Sequence, residues 1–215
     1  MTGPGPNPDG TGRELLALGA ATLGESGGMA LPPRIRPVWP GAGLAAPAFT
    51  VWCPPGDNLA VHVAVASAGA GQALVVAVAG TPDRGYWGEV LTTGAEARGL
   101  AGMVIDACVR DVVALERHRF PVFSSGVALR GASKEAGGRV GCAIRIGDAE
   151  IRTGDWVVGD ADGVAVVAQA ELDEVMERAR ARAAREAELF DRLRNGGNTV
   201  ELLGLDRSRV GTEGS

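Results

Sequence analysis

The stretch "GYWGEVLTTGAEARG", residues 85–99, followed closely by "GMVID", residues 102–106, decides the fold. It opens on a glycine turn, carries helix formers through Arg98, and stops at Gly99, a residue suited to the left-handed position after a helix. "GMVID" then reads as a buried strand. Upstream, "QALVVAVAG" (72–80) is a continuous apolar run, the pattern of a strand covered on both faces. Strand, helix and strand of these lengths imply a right-handed crossover between two parallel strands. In α/β folds, sites form at the carboxyl ends of such strands.

Outward from this unit, "PAFTVWC" (47–53) has strand composition, and "DNLAVHVAVASAG" (57–69) reads as a helix capped by Asp57. "RELLALGAATLGES" (13–26) reads as one helix, and the proline-punctuated "LPPRIRPVWPG" (31–41) as extended chain. "DVVALERH" (111–118) gives a further helical turn or two. "FPVFSSG" (120–126), "GRVGCAIRIGDAEI" (138–151) and "DWVVGDADGVAVVA" (155–168) read as β, with "GDADG" a hairpin turn. A charged, Ala-rich helix follows over 171–195 and ends at Gly196 and Gly197. The predicted class is α/β, a layered α/β/α or β/β/α domain with a projecting C-terminal helix. The expected organisation is a tail over 1–12, one domain over 13–205, and a tail over 206–215.

Composition narrows the function classes. A net charge of -5 offers no field to hold a polyanion, so nucleic acid is not expected as a direct partner. No apolar run approaches the ~20 residues of a membrane span, and no hydrophobic leader follows a basic start. Cys53, Cys108 and Cys142 are widely spaced without a CxxC pair, which argues against disulfides or zinc and fits a reducing cytoplasm. "GTPDRG" (80–85) lacks the Lys and Ser/Thr of a phosphate loop.

The chemistry concentrates after the second strand. Twenty residues separate Glu89 from Arg110, and Asp111 comes next. If the helix crosses back over the sheet, its N-terminus and the end of the strand share one edge. The N–H groups of Gly88, Glu89, Val90 and Leu91 then converge with Arg110 and Asp111. Such amides form an anion site, and Arg110 adds a bidentate grip on a carboxylate. Asp111 and Glu89 are hard oxygen ligands for Mg²⁺, which takes one or two protein carboxylates and keeps waters. That set suits a 2-oxo acid, and retro-aldol cleavage or decarboxylation would share an enolate stabilised there. The competing reading is an ordinary surface ion pair.

Other groups weigh less. Lys134 is the only lysine, and its Gly-rich surroundings read as a solvated loop, which disfavours a Schiff-base mechanism. His62 reads as a helix residue of the core, and Asn58 could face the site from the same helix start. The four tryptophans default to packing.

"IRPVWPG", "APAFTV", "PPGDNLAVH", "YWGEVL", "ARGLAGMVIDACVRD", "FPVFSSG", "RGASK" and "TGDWVVGDADGVAVV" occur in an order and spacing that resemble the RraA-like family. Within it they are most similar to the 4-hydroxy-4-methyl-2-oxoglutarate / 4-carboxy-4-hydroxy-2-oxoadipate aldolases, over about residues 20–205. The resemblance implies a swivelling β/β/α-type domain, homotrimers that pair into hexamers, and a divalent metal, Mg²⁺ or Mn²⁺. It implies aldol cleavage of a 2-oxo acid substrate with release of pyruvate, often with oxaloacetate decarboxylation. By position, Gly88 to Leu91 would bind substrate through main-chain amides, Arg110 would bind substrate and stabilise the enolate, and Asp111 would hold the metal. Glu89 stands where many aldolases have Asp and would act through a water. Glu186 on the last helix matches an acidic residue that reaches a neighbouring subunit's site.

The sequence departs from the family pattern in three places. Ala107 replaces a glycine before the Arg-Asp pair, where a Cβ at a tight turn would shift Arg110. Ala114 replaces an acidic residue, and "GCAIRIGD" replaces an Asn/Pro-containing strand start. A recruited paralogue acting on another 2-oxo acid therefore stays open. So does a non-catalytic binding protein like the family members that inhibit an RNA-degrading endonuclease, although those typically lack the Asp after the Arg. No methyl-donor fingerprint is present.

Overall fold

The computed structural model describes residues 10–80 and 83–211. Most of the expected N-terminal tail, and Thr81 and Pro82 of "GTPDRG", lie outside the described residues. The segment expected as one first helix is two, α1 (Thr11–Leu18) and α2 (Ala20–Glu25). Gly19 between them takes φ +83, a conformation that glycine enters without strain. The Asp160 carboxylate then accepts the Ala20 N–H at 2.7 Å and starts α2.

Short strands β1 (Met29–Ala30) and β2 (Arg36–Pro37) precede the long β3 (Leu44–Cys53), whose exit into Pro54 and Pro55 leads to α3 (Leu59–Ser67). The central unit follows as β4 (Ala73–Val78), β5 (Gly85–Trp87), α4 (Glu89–Ala97) and β6 (Gly102–Val109). Gly99 closes α4 at φ +71, as its position predicts. "GYW" is a short strand rather than a turn, and β6 runs three residues past Asp106. Next come α5 (Val112–His118), β7 (Val122–Val127), β8 (Arg139–Val140), β9 (Ile144–Ile146) and β10 (Ala149–Ile151). The chain ends in β11 (Trp156–Asp160), β12 (Gly163–Val167), α6 (Leu172–Arg194) and α7 (Thr199–Leu202).

A curled mixed sheet runs β1-β12-β11-β3-β4-β6-β7-β2, with β5 paired to β6 and β8 to β3. The β3, β4, β6 and β7 pairings are parallel, as the crossover requires, and β11 and β12 form the antiparallel hairpin expected at "GDADG". The stretch over 138–151 divides, because β9 and β10 form a separate two-stranded sheet among the described residues. One core lies under the parallel strands, where Val75, Val76, Val104, Ile105 and Phe123 are fully buried. Trp87 stacks on Phe120 at 6.0 Å between ring centroids. A second core forms where Val175, Met176 and Ala179 of α6 meet Leu15, Leu23, Trp156 and Val158. Beyond Ala179 no residue of α6 is buried, so its second half projects. Among the described residues no helix is long and apolar enough to cross a membrane.

Candidate active site

The site is built where β5 pairs with the end of β6. Trp87 lies opposite Val109, and the Trp87 carbonyl accepts the Arg110 N–H at 2.9 Å, which sets Gly88 directly beside Arg110. Gly88 is extended, so its glycine identity is a matter of space rather than of backbone angle. A Cβ there would run into the Asp111 carboxylate and reach 3.1 Å from Arg110 Cγ. Only a glycine lets α4 begin this close to the Arg-Asp pair.

Asp111 caps α5 in the left-handed region, φ 59 and ψ 36. For a residue with a Cβ this conformation costs about 1–3 kcal/mol and persists only where the surroundings enforce it. Here it turns the carboxylate back toward α4. Asp111 Oδ2 accepts the Glu89 N–H at 3.1 Å and stands 3.7 Å from Arg110 Nε. Both side chains are over a third exposed, so the pair itself contributes about 0–1 kcal/mol. Its significance is placement, since the first-turn amides of Val90 and Leu91 have no acceptor within α4.

Arg110, Asp111, Gly88, Val90, Leu91 and Asn58 line one cleft of about 170 Å³. That volume is below the ~300 Å³ at which drug-sized ligand sites begin. Gly85, Tyr86, Trp87, His62 and Lys134 also line it. Asn58 is buried, and its Nδ2 donates to the Tyr86 carbonyl at 2.8 Å. Its Oδ1 is a buried oxygen without a hydrogen-bond partner among the described residues. Burial, and secondarily the Lys134 charge, hold the His62 imidazole below its ordinary pKa of 6.5, so it is neutral at pH 7. The cleft thus carries two cations and one carboxylate, a balance that favours an anionic ligand.

A family model described as RraA-like: Aldolase/RraA matches residues 20–166. The chain belongs to the RraA-like family. It is 34% identical over 154 residues to a protein of Halalkalibacterium halodurans named "Putative 4-hydroxy-4-methyl-2-oxoglutarate aldolase", covering 72% of this chain and 73% of that one. Its fold matches that of an uncharacterized protein from Pseudomonas syringae pv. tomato, at TM-score 0.80 and 27% identity, over 92% of this chain and 94% of that one. It also matches the RNA-processing inhibitor RraA from Thermus thermophilis, at TM-score 0.63 and 25% identity, over 69% and 91% of the two chains.

In this RraA-like protein the expected site residues divide. Gly88, Val90, Leu91, Arg110, Asp111 and Asn58 come together at the cleft, while the Glu89 N–H is taken by Asp111. The Glu89 side chain does not line the cleft; its Oε1 lies 3.8 Å from Arg117 and 3.5 Å from His118. Residue 89 therefore gives its N–H to Asp111 and its carboxylate to α5. Glu186 sits on the projecting half of α6, paired with Arg182 at 2.9 Å, and is not part of this chain's cleft. Ala107 lies within β6, fully buried, so no tight turn is strained by its Cβ. Lys134 is exposed, as a loop lysine should be, yet it sits at the cleft. Lys134 and His62 are the two residues that sequence reasoning set aside.

Among the described residues no three His, Cys, Asp or Glu side chains are placed to hold a metal as a closed cage. The partly exposed Asp111 carboxylate, with one oxygen bonded to an N–H, is a sparse, hard-oxygen donor set. Such a set fits a hydrated Mg²⁺ or Mn²⁺ taken up through one carboxylate and does not fit zinc.

Proposed function

We propose that this RraA-like protein is a lyase that cleaves a carboxylated 4-hydroxy-2-oxo acid by a retro-aldol reaction and releases pyruvate, with oxaloacetate decarboxylation as a companion activity. The observation that carries this reading is the meeting of Arg110, Asp111 and the α4 amides in one small cleft. The similarity to a protein named as an aldolase supports it.

In this mechanism the α4 amides and the Arg110 fork bind the 2-oxo acid carboxylate. Lys134 attracts the second carboxylate, and Asn58 borders the substrate from the same cleft. The C4 hydroxyl gives up its proton, for which the neutral His62 imidazole is the basic group of the cleft. The C3–C4 bond breaks and its electron pair moves to the C2 oxygen, where Arg110 stabilises the negative charge. Protonation at C3 then yields pyruvate. Loss of CO₂ from oxaloacetate leaves the same enolate. Asp111 would hold Mg²⁺ or Mn²⁺, which supplies Lewis-acid polarisation of the ketone when bound.

The proposal extends to a cytoplasmic homotrimer, or a hexamer of paired trimers, in which Glu186 enters a neighbouring subunit's site. A second reading, a non-catalytic binding protein, draws on the likeness to the Thermus inhibitor. A paralogue acting on a different 2-oxo acid would keep Arg110 and Asp111 and change the wall. The test follows pyruvate release from oxaloacetate and from 4-hydroxy-4-methyl-2-oxoglutarate, with Mg²⁺, with a chelator, and in Arg110→Ala and Asp111→Ala. The lyase reading expects turnover that the chelator and either substitution remove. Silence on both substrates in the wild type rejects it in favour of the alternatives.

A further inference from the structure

Asp57 reads in the sequence as the helix cap; the cap position of α3 is held by Asn58, and Asp57, one residue earlier, accepts the Leu59 N–H through Oδ1 at 2.9 Å. Its other oxygen does something that capping does not require. Asp57 Oδ2 accepts the Ser133 hydroxyl at 2.9 Å, the Glu135 N–H at 2.5 Å and the Ala136 N–H at 3.0 Å. The residue is fully buried, 76 positions from Ser133, and it gathers donors on both sides of Lys134. The adjoining residues complete the seam. Gly56 O accepts the Ser133 N–H at 2.8 Å, and the Asn58 N–H donates to Ser133 O at 2.9 Å.

We propose that Asp57 is a positioning residue that holds Lys134 over the cleft. β-Bridges pin Gly131 to Gly85 and Ser133 to Asp57, but residues 134–138 lie in no helix or strand, so the donors gathered by one carboxylate oxygen on both sides of Lys134 set where its backbone stands. Asp57 touches no ligand in this scheme and acts through Lys134. A fully ionised acceptor suits the task, because a protonated acid would lose acceptor capacity at the oxygen that gathers the loop. Burial alone would push the Asp57 pKa up, but the bonds from Ala136, Leu59, Glu135 and Ser133 outweigh it and hold it at about 2, so the clasp stays charged at any pH where the protein works. The part of this inference that concerns substrate rests on the lyase reading above.

The test uses the fact that Lys134 is the only lysine in the chain. A lysine-specific endoprotease therefore cuts the chain at one place, and the rate of that cut reports loop placement without reference to activity. Asp57→Asn is expected to raise the cleavage rate on the order of tenfold while the far-ultraviolet circular dichroism stays unchanged. Its KM for the dicarboxylate substrate is expected to rise on the order of tenfold with little change in kcat, and Asp57→Asn in a Lys134→Gln background to add nothing further. Additive effects of the two substitutions, or an unchanged cleavage rate, would overturn the proposal. Should Asp57→Asn fail to fold, Ser133→Ala replaces it in the same cycle with a smaller shift in both readouts. A wild type inactive on 2-oxo acids would reject the lyase reading alone, and the cleavage rate would still decide whether Asp57 holds the loop.

Discussion

Glu89 and Asp111 meet through the backbone of one and the side chain of the other: Asp111 Oδ2 accepts the Glu89 N–H at 3.1 Å while the Glu89 carboxylate turns to Arg117 and His118. Two acidic residues that the sequence places as a metal-binding pair are thus separated in role. Asp111 braces the start of α4 and faces the cleft, and Glu89 belongs to the surface between α4 and α5.

This division predicts an unequal response to mutation. Glu89→Gln removes exposed ion pairs worth about 0–1 kcal/mol and should lower kcat/KM less than tenfold. Gly88→Ala places a methyl group against the Asp111 carboxylate, so the larger loss, about 10²-fold or more by displacement of reacting groups, belongs to the glycine. Steady-state kinetics on the two variants ranks them, and a Glu89→Gln enzyme more impaired than Gly88→Ala would contradict the assignment.

A stability prediction concerns the brace beneath the cleft. Trp87 Nε1 donates to Thr92 Oγ1 at 2.7 Å, and both residues are buried. Thr92→Val keeps the shape and orphans the indole N–H, which costs about 1–3 kcal/mol. Thermal unfolding should show a clear drop in Tm; an unchanged Tm would mean that the bond contributes nothing.

His62 supplies a pH prediction. Its folded pKa lies below 6.5 because of burial first and the Lys134 charge second. The unfolded chain therefore binds more protons there, so stability is complete above pH 6.5 and declines as the pH falls through the folded value. His62→Gln should flatten that decline, measured as Tm against pH between about 7 and 5. Lys134→Gln should move the His62 titration upward in an NMR experiment, and a titration unmoved by the loss of Lys134 would place the lysine away from the cleft.

These residues also show what the sequence reveals and why it stops. The crossover over 72–106, the stop at Gly99 and the helix expected over 171–195 and found over 172–194 are local patterns, set by periodicity and by glycine. The convergence of Arg110 and Asp111 with the α4 amides follows from topology once the parallel pairing is fixed. Lys134 and His62 escape because their cleft position depends on contacts that no local window carries: Asp57 must bind a loop 76 residues away. In "PPGDN" Asp57 reads as a cap, and a cap leaves the second carboxylate oxygen, which binds the loop, without a local signal. β6 outruns the strand predicted over 102–106 for a simpler reason, since Asp106 resembles a strand end yet pairs in a salt bridge with Arg34 at 2.7 Å partway along the strand.

The measurement that tests the central claim most directly is calorimetric titration of oxalate, a planar mimic of the pyruvate enolate, in the presence of Mg²⁺. Wild-type protein should bind it, and Arg110→Ala or Asp111→Asn should each weaken binding about 30-fold or more, the consequence of removing one member of a charged contact worth 2–5 kcal/mol. Oxalate bound equally well by all three proteins would mean that the anion does not sit between Arg110 and Asp111, and the site proposed here would be wrong.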